Sequence, residues 1–220
     1  MSCACSSRAA EIRRWLCRRA GLAAALCLLP ALAAAQSRNP GDLTIGKLLV
    51  ARGQVPDGRF RHAVILLVGL SEKGAAGLVI NQPGQIPLAH LFPKNVAAQA
   101  RTDKAYAGGP VQASRLFCLL HIAGPLHEAQ AILPGVFASA NLNLMDLALN
   151  AQEPAVAFRV FQGYAGWKPG QLQHELAAGY WTILPATPDL IFDPDPATLW
   201  TRLTAPPPGR SSRQGKPRQP

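Results

Sequence analysis

The chain has 220 residues, 49% of them apolar and 15% charged, a balance that excludes an intrinsically disordered protein and allows one domain with a sizeable core. Its net charge of +10 is carried by the ends: five arginines and one glutamate in residues 1–35, and Arg210, Arg213, Lys216 and Arg218 in residues 205–220. Between them, residues 36–204 hold 13 basic and 11 acidic side chains, so no broad basic nucleic-acid surface is evident on the folded part.

From the N-terminus, Arg13, Arg14, Arg18 and Arg19 precede an apolar run, Gly21 to Ala35. A charged region, a short apolar region and the small residues Ala33 and Ala35 make the pattern of a signal peptide over 1–35, cut between Ala35 and Gln36. The run has 15 residues, short for a membrane span of about 20, so no stable span is expected once the leader is gone. The expected location is periplasmic or secreted, with a cytoplasmic protein as the alternative. Cys3, Cys5, Cys17 and Cys27 leave with the leader, and Cys118 alone remains, in "LFCLLHI". A lone cysteine forms no internal disulfide, and this one reads as a small core residue.

Residues 36–42 read as a linker. "IGKLLVAR" (Ile45 to Arg52) predicts a first strand and "QVPDGR" (Gln54 to Arg59) a turn. "HAVILLVG" (His62 to Gly69) is apolar throughout, the pattern of a strand buried on both faces. "SEKGA" turns the chain into a partner strand, "AAGLVIN" (Ala75 to Asn81), giving a hairpin. Next, Pro83-Gly84 suits the centre of a type II turn, and Asn81 is placed to bond backbone groups around Pro83. A short helix is expected in "IPLAHLF" (Ile86 to Phe92), then a loop leading to "YAGGPV" (Tyr106 to Val111).

Arg115 to Ile122 predicts another buried strand, and Ala129 to Ser139 a weaker one broken by Pro134-Gly135. Asn141 caps a helix through Leu142, Met145 and Leu149. "AVAFRVFQGYAG" (Ala155 to Gly166) alternates as a strand does. "PGQLQHELAAG" has Pro169 at its start and Gly179 past its end, the marks of a short amphipathic helix. "YWTILP" predicts a last strand. Thr187-Pro188 and Asp195-Pro196 each pair a cap with a proline, opening two further helices. From Ala205 the chain is a basic tail of disordered composition. The interleaving gives one α+β domain over 43–204.

No phosphate loop, dinucleotide fingerprint or hydrolase elbow is present. His62, His90, His121, His127 and His174 share no metal-ligand spacing. His127-Glu128 and His174-Glu175 read as surface pairs, and Asp193 and Asp195 as turn and cap residues. No nucleophile, base and orienting group occur together, so no catalytic residue, metal or cofactor is expected. What stands out is punctuation by glycine, proline and aromatics: Asn81 and Pro83, then Gly108, Gly109 and Pro110, then Tyr164, Gly166 and Trp167. These residues form either a pocket, with Tyr164 and Trp167 as walls, or a packed corner.

"GLVINQP" (Gly77 to Pro83), "GGPV" (Gly108 to Val111) and "GYAGWKPGQL" (Gly163 to Leu172), in that order, resemble the YqgE/AlgH family of bacterial proteins; "GKLLVA" and "DGRFRHAVILL" fit the same pattern. The resemblance covers about residues 46–203. It implies an α+β fold with a curved, partly barrel-like mixed sheet flanked by short helices, and a link to regulation of exopolysaccharide (alginate-type) synthesis. It carries over no catalytic or ligand residue. This chain departs from the family pattern in its leader, in Ala63 where a hydroxyl residue is common, and in Gln82 where a lysine is common.

The function expected is that of a non-enzymatic, exported regulatory or binding protein with a small-molecule or protein partner; export would put nucleic acid out of reach. The alternatives are a cytoplasmic transcriptional regulator of exopolysaccharide synthesis and an enzyme with a pocket near Asn81, Tyr164 and Trp167.

Overall fold

The computed structural model describes residues 39–53, 55–151 and 157–206. The leader proposed for 1–35, four of the five cysteines and nearly all of the basic tail lie outside them.

Ten strands form one open sheet. They are β1 (Lys47–Ala51), β2 (Val64–Ser71), β3 (Gly74–Val79), β4 (Pro83–Pro87), β5 (Lys104–Ala107), β6 (Val111–His121), β7 (Gln130–Leu133), β8 (Val136–Ser139), β9 (Ala157–Trp167) and β10 (Trp181–Pro185). Six short helices accompany them: α1 (Leu88–Leu91), α2 (Val96–Gln99), α3 (Leu142–Asn150), α4 (Gln171–Ala177), α5 (Pro188–Ile191) and α6 (Pro196–Thr204). The strand order is β10-β1-β2-β3-β9-β6-β8-β7, antiparallel throughout. Off this path β4 pairs with β5, and β5 lies parallel to β9, so the sheet is mixed.

Three cores explain why the strands read as unbroken apolar runs. On β1, Leu48 and Val50 point one way, while Leu49 and Ala51 point the other. The first face gathers Val64, Leu66, Leu78, Leu119, Ile132, Val136, Phe161 and Leu184 into one cluster. Side chains from eight strands meet there because the sheet curls around them. Ile191 of α5 and Leu199 of α6 join this cluster from the helical side. The opposite face is covered twice: by α4, through Leu172 and Leu176, over β1, β2 and β10, and by α1, α2 and α3, through Leu88, Ala98, Met145 and Leu149, over β6 and β9. A strand covered on both faces has no polar side, and each fully buried Leu or Ile contributes about 1.5–3 kcal/mol.

The curl stops short of a ladder between β7 and β2. Instead the Gln130 side-chain amide donates to the carbonyl of Val68 at 3.0 Å. That carbonyl is available because the β2–β3 register shifts between Leu67 and Gly69.

Most predicted elements are present, and two of the three expected side-chain caps form; Asp195 stands at the cap position of α6 without a side-chain bond to the helix backbone. Asn141 accepts from the amide of Asn143, and Thr187 from that of Leu190. The weak strand over Ala129 to Ser139 is a hairpin, β7–β8, turning at Pro134-Gly135. The α4 helix starts later than expected, with Gly170 at its cap in the left-handed region. Three elements were not anticipated. The short α2 is capped by Asn95 onto Ala98, and the segment read as a loop before Tyr106 contains β5. The expected type II turn at Pro83-Gly84 is β4 instead, opposite Tyr106 and Lys104. A Cβ on Gly84 would lie 2.4 Å from the carbonyl oxygen of Ala105, so the glycine serves close pairing, and two prolines are tolerated on so short an outer strand.

Candidate functional site

The three motif stretches meet where the β3–β9 ladder opens. Ala75, Ala76 and Gly77 pair with Trp167, Gly166 and Ala165. Beyond that point a third segment enters the gap. The amide of Val79 donates to the carbonyl of Gly108 at 3.1 Å, and the amide of Gly108 donates to that of Gln162 at 3.0 Å, while Tyr106 and Ala107 pair with Phe161 and Gln162. Backbone lies almost directly on backbone here. A Cβ on Gly108 would sit 2.3 Å from the Gly163 oxygen, and one on Gly163, whose φ is +64°, would sit 2.3 Å from the Gly109 oxygen. Glycine is the residue that permits both the approach and the left-handed backbone. Pro110 then leads into β6, whose Val111 faces Tyr164.

Asn81 is 6% exposed and bonds away from this fork. Its Oδ1 accepts from the amide of Val64 at 2.7 Å, and its Nδ2 donates to the carbonyl of His62 at 2.9 Å. The expectation that it holds backbone around Pro83 is therefore corrected: it fastens the end of β3 to the start of β2, where His62 turns with φ at +58°. Pro83 opens β4. Asn81 does not share a pocket lining with Tyr164 and Trp167.

Tyr164, Gly166 and Trp167 do line an open groove of about 700 Å³, together with the β2–β3 hairpin, the Lys168–Pro169 turn and Gln171. Such a volume falls in the range of small-ligand sites. Lys73 and Lys168 are on the lining, and no carboxylate is. The aromatic wall is fixed. Trp167 donates its indole N–H to Glu175 Oε2 at 2.9 Å, Trp181 donates to the same oxygen at 2.7 Å, and Gln171 donates to Glu175 Oε1 at 2.9 Å. Phe60 stacks on Trp167 with centroids 6.5 Å apart, and Tyr164 meets Phe117 edge-on at 5.7 Å. Glu175, read from sequence as a surface residue, is the common acceptor that orients two tryptophans. The neighbouring His174 is exposed, as expected.

Away from the groove lies a second polar cluster that sequence reasoning missed. Arg159 projects from β9 and donates to the carbonyls of Ile191, at 2.8 Å, and Asp193. Its guanidinium lies over the rings of Tyr106, at 4.8 Å, and Phe192, at 5.9 Å. The signal was a charge inside "AFRVF", an otherwise buried alternation. The carbonyls at the end of α5 suit a cation, so Arg159 pins that helix to the sheet. Burial lowers its pKa from the usual arginine value, against the raising effect of Tyr106 and Asp193. Burial raises that of Tyr106, against the lowering effect of Arg159.

Burial would also raise Asp193, but the hydrogen bonds from Arg202, at 2.6 Å, and the Asp195 amide, at 2.8 Å, with the charges of Arg202 and Arg159, outweigh it and hold the carboxyl below its usual value. The turn role expected of Asp193 is thus met. Asp195 occupies the N-cap position of α6 but bonds no helix amide through its side chain; its carboxylate accepts from the Thr198 hydroxyl instead. Burial pushes the Cys118 thiol up to about 12, against a small lowering from the Ser139 backbone, so the thiol is neutral at physiological pH and is packed in the core. Among the described residues no three His, Cys, Asp or Glu side chains are grouped to hold a metal ion, and no helix is long and apolar enough to cross a membrane.

A family described as "DUF179: AlgH-like" matches residues 48–209. A UPF0301 protein of Myxococcus xanthus is 36% identical over 156 residues, spanning 70% of this chain and 84% of its own. The solution structure of the AlgH protein from Pseudomonas aeruginosa is similar with a TM-score of 0.60 at 30% identity, over 73% of this chain and 89% of that one. The crystal structure of protein DIP2367 from Corynebacterium diphtheriae superposes with a TM-score of 0.64 over 76% of this chain and 90% of that one; at 23% identity this is a likeness of fold.

Proposed function

The chain belongs to the AlgH-like family, and on that premise we propose that it is a non-enzymatic regulatory protein that works by binding a partner in the groove beside Tyr164, Gly166 and Trp167. The observation that carries this reading is the groove itself: a fixed aromatic wall, two lysines and no carboxylate on its lining. An occupant with an acidic group next to an apolar one fits that lining. Catalysis is less well supported. Among the described residues, the side chains with displaced pKa values (Asp57, Arg59, Tyr106, Cys118, Arg159 and Asp193) are off the groove, and each has a structural partner or burial to account for it.

The protein acts outside the cytoplasm in this reading. Support comes from the arginine-rich start, the 15-residue apolar run and the Ala33-x-Ala35 end. A regulator in that position acts through a protein or a small molecule and not on DNA.

The test is native mass spectrometry and affinity capture with the protein purified from its own host, beside two variants. Lys73→Glu combined with Lys168→Glu abolishes retention of the partner. Arg61→Glu, which changes an exposed charge outside the groove lining, retains it. A partner held equally by both variants would put the binding surface elsewhere.

A further inference from the structure

A second cavity lies under α6. It has a volume of about 200 Å³ and shares no lining residue with the groove. Its floor is Val50 of β1 with Thr182 and Leu184 of β10, its wall is Trp200 and Leu203 of α6, and Arg52 stands at its rim. Strand alternation explains the floor. Val50 pairs with Thr182, and both Val50 and Leu184 belong to the inner apolar core, so position 182 is an inward position among apolar neighbours.

Thr182 is only 5% exposed and lines the cavity. Its hydroxyl bonds no other described residue and is not sealed from solvent. A valine has the same shape and carries no hydroxyl. The fold makes no use of this hydroxyl, which is free to bond a molecule that enters the cavity. The wall is built to stay in place. The Trp200 indole N–H donates to the carbonyl of Ala51 at 2.8 Å, and its ring lies against that of His62 with centroids 4.0 Å apart. Arg52 is exposed and follows directly on β1, its amide donating to the carbonyl of Tyr180 at 2.8 Å, which puts a permanent positive charge at the cavity.

The charge of Arg52, the apolar side chains of Val50, Leu184 and Leu203 with the Trp200 ring, and the available Thr182 hydroxyl on one lining specify one kind of molecule. We propose that this cavity is a binding site for a small monocarboxylate with a hydroxylated, ring-sized apolar body, its carboxylate on Arg52, its ring against Trp200 and its hydroxyl on Thr182. The size fits: a cavity of about 150 Å³ suffices for benzene, and this one is somewhat larger and open at one side.

The probe is 4-hydroxybenzoate, titrated calorimetrically into the full mature chain, with benzoate and 4-hydroxybenzyl alcohol as comparisons. The expected result is saturable binding of 4-hydroxybenzoate, with each comparison compound about tenfold weaker, the effect of one lost hydrogen bond or charge contact. Arg52→Gln weakens 4-hydroxybenzoate about tenfold and leaves the alcohol unchanged. Thr182→Val removes the preference for the hydroxylated ring and melts at or above the temperature of the parent. No saturable binding at millimolar probe overturns the proposal, as does binding that neither variant alters. A Thr182→Val protein that melts well below the parent also overturns it, because the hydroxyl would then be serving the fold.

Discussion

Asn81 closes the apolar run of the "GLVINQP" motif, and its side chain decides what that ending means. Both of its polar groups are used, one on the Val64 amide and one on the His62 carbonyl. Asn81→Ala leaves two backbone groups at the start of β2 without partners, one of them buried, and is expected to cost about 2–3 kcal/mol. Aspartate is no milder. It can accept from Val64, but it sets a second acceptor against the His62 oxygen, so Asn81→Asp is expected to be at least as damaging as alanine at neutral pH. Urea melts of the three proteins check both statements. An aspartate variant near parental stability would show that the His62 contact contributes nothing. The comparison separates the observed cross-strand bond from a local turn bond, which aspartate would preserve.

At the scale of elements, two devices hold irregular pieces together. The first is the fork at β3, β5 and β9. Gly163→Ala forces a Cβ onto the Gly109 carbonyl in a left-handed backbone, and the expected loss is roughly 3 kcal/mol or more. The parent-like melt of a Gly170→Ala control, where a Cβ meets nothing within 4 Å although φ is also positive, would be displaced by only about 1 kcal/mol. Equal losses at the two glycines would mean that close approach at the fork is unimportant. The second device is the α5–α6 clasp, in which Asp193 holds Arg202. The folded-state pKa of Asp193 lies below its ordinary value, so its contribution is complete above about pH 4 and is lost as pH falls through the lower folded value. Asp193→Asn is expected to be less stable than the parent at pH 7, by about 1 kcal/mol given the half-exposed Arg202, with the gap narrowing as the pH falls below 4. Melts across that range measure it, and a gap that widens in acid would contradict the assignment.

For the molecule as a whole, charge is the property with consequences. Residues 36–204 hold 13 basic against 11 acidic side chains, so a chain trimmed to 43–204 offers few phosphate contacts and is expected to show no retention of duplex DNA in a gel shift at moderate salt. Tight, sequence-dependent retention would favour a cytoplasmic DNA-facing role over the exported one. The same stretch carries the whole AlgH-like match apart from its last few residues, so a result on it bears on the domain and not on the tails.

Local chemistry decided most of the elements. The apolar runs that became β1, β2, β3, β6 and β10, the Asn141, Thr187-Pro188 and Asp195-Pro196 helix starts, and the burial of Cys118 could all be read in the chain, because periodicity and capping act over a few residues. The α+β class and the mixed, curling sheet followed from the interleaving and the family resemblance. What could not be read depends on contacts between residues far apart in sequence. β4 and β5 are short and weakly apolar, and exist as strands because each has the other, and β5 has β9, to pair with. Glu175 looks like any helix-surface carboxylate until Trp167 and Trp181 arrive on the same oxygen. The groove was half legible, since "GYAGWKPGQL" marked Tyr164 and Trp167 as walls, but its other side is the distant β2–β3 hairpin. The cavity under α6 has no local signature: Thr182 is an ordinary strand residue in "YWTILP", and only the packing of α6 against β1 and β10 encloses it.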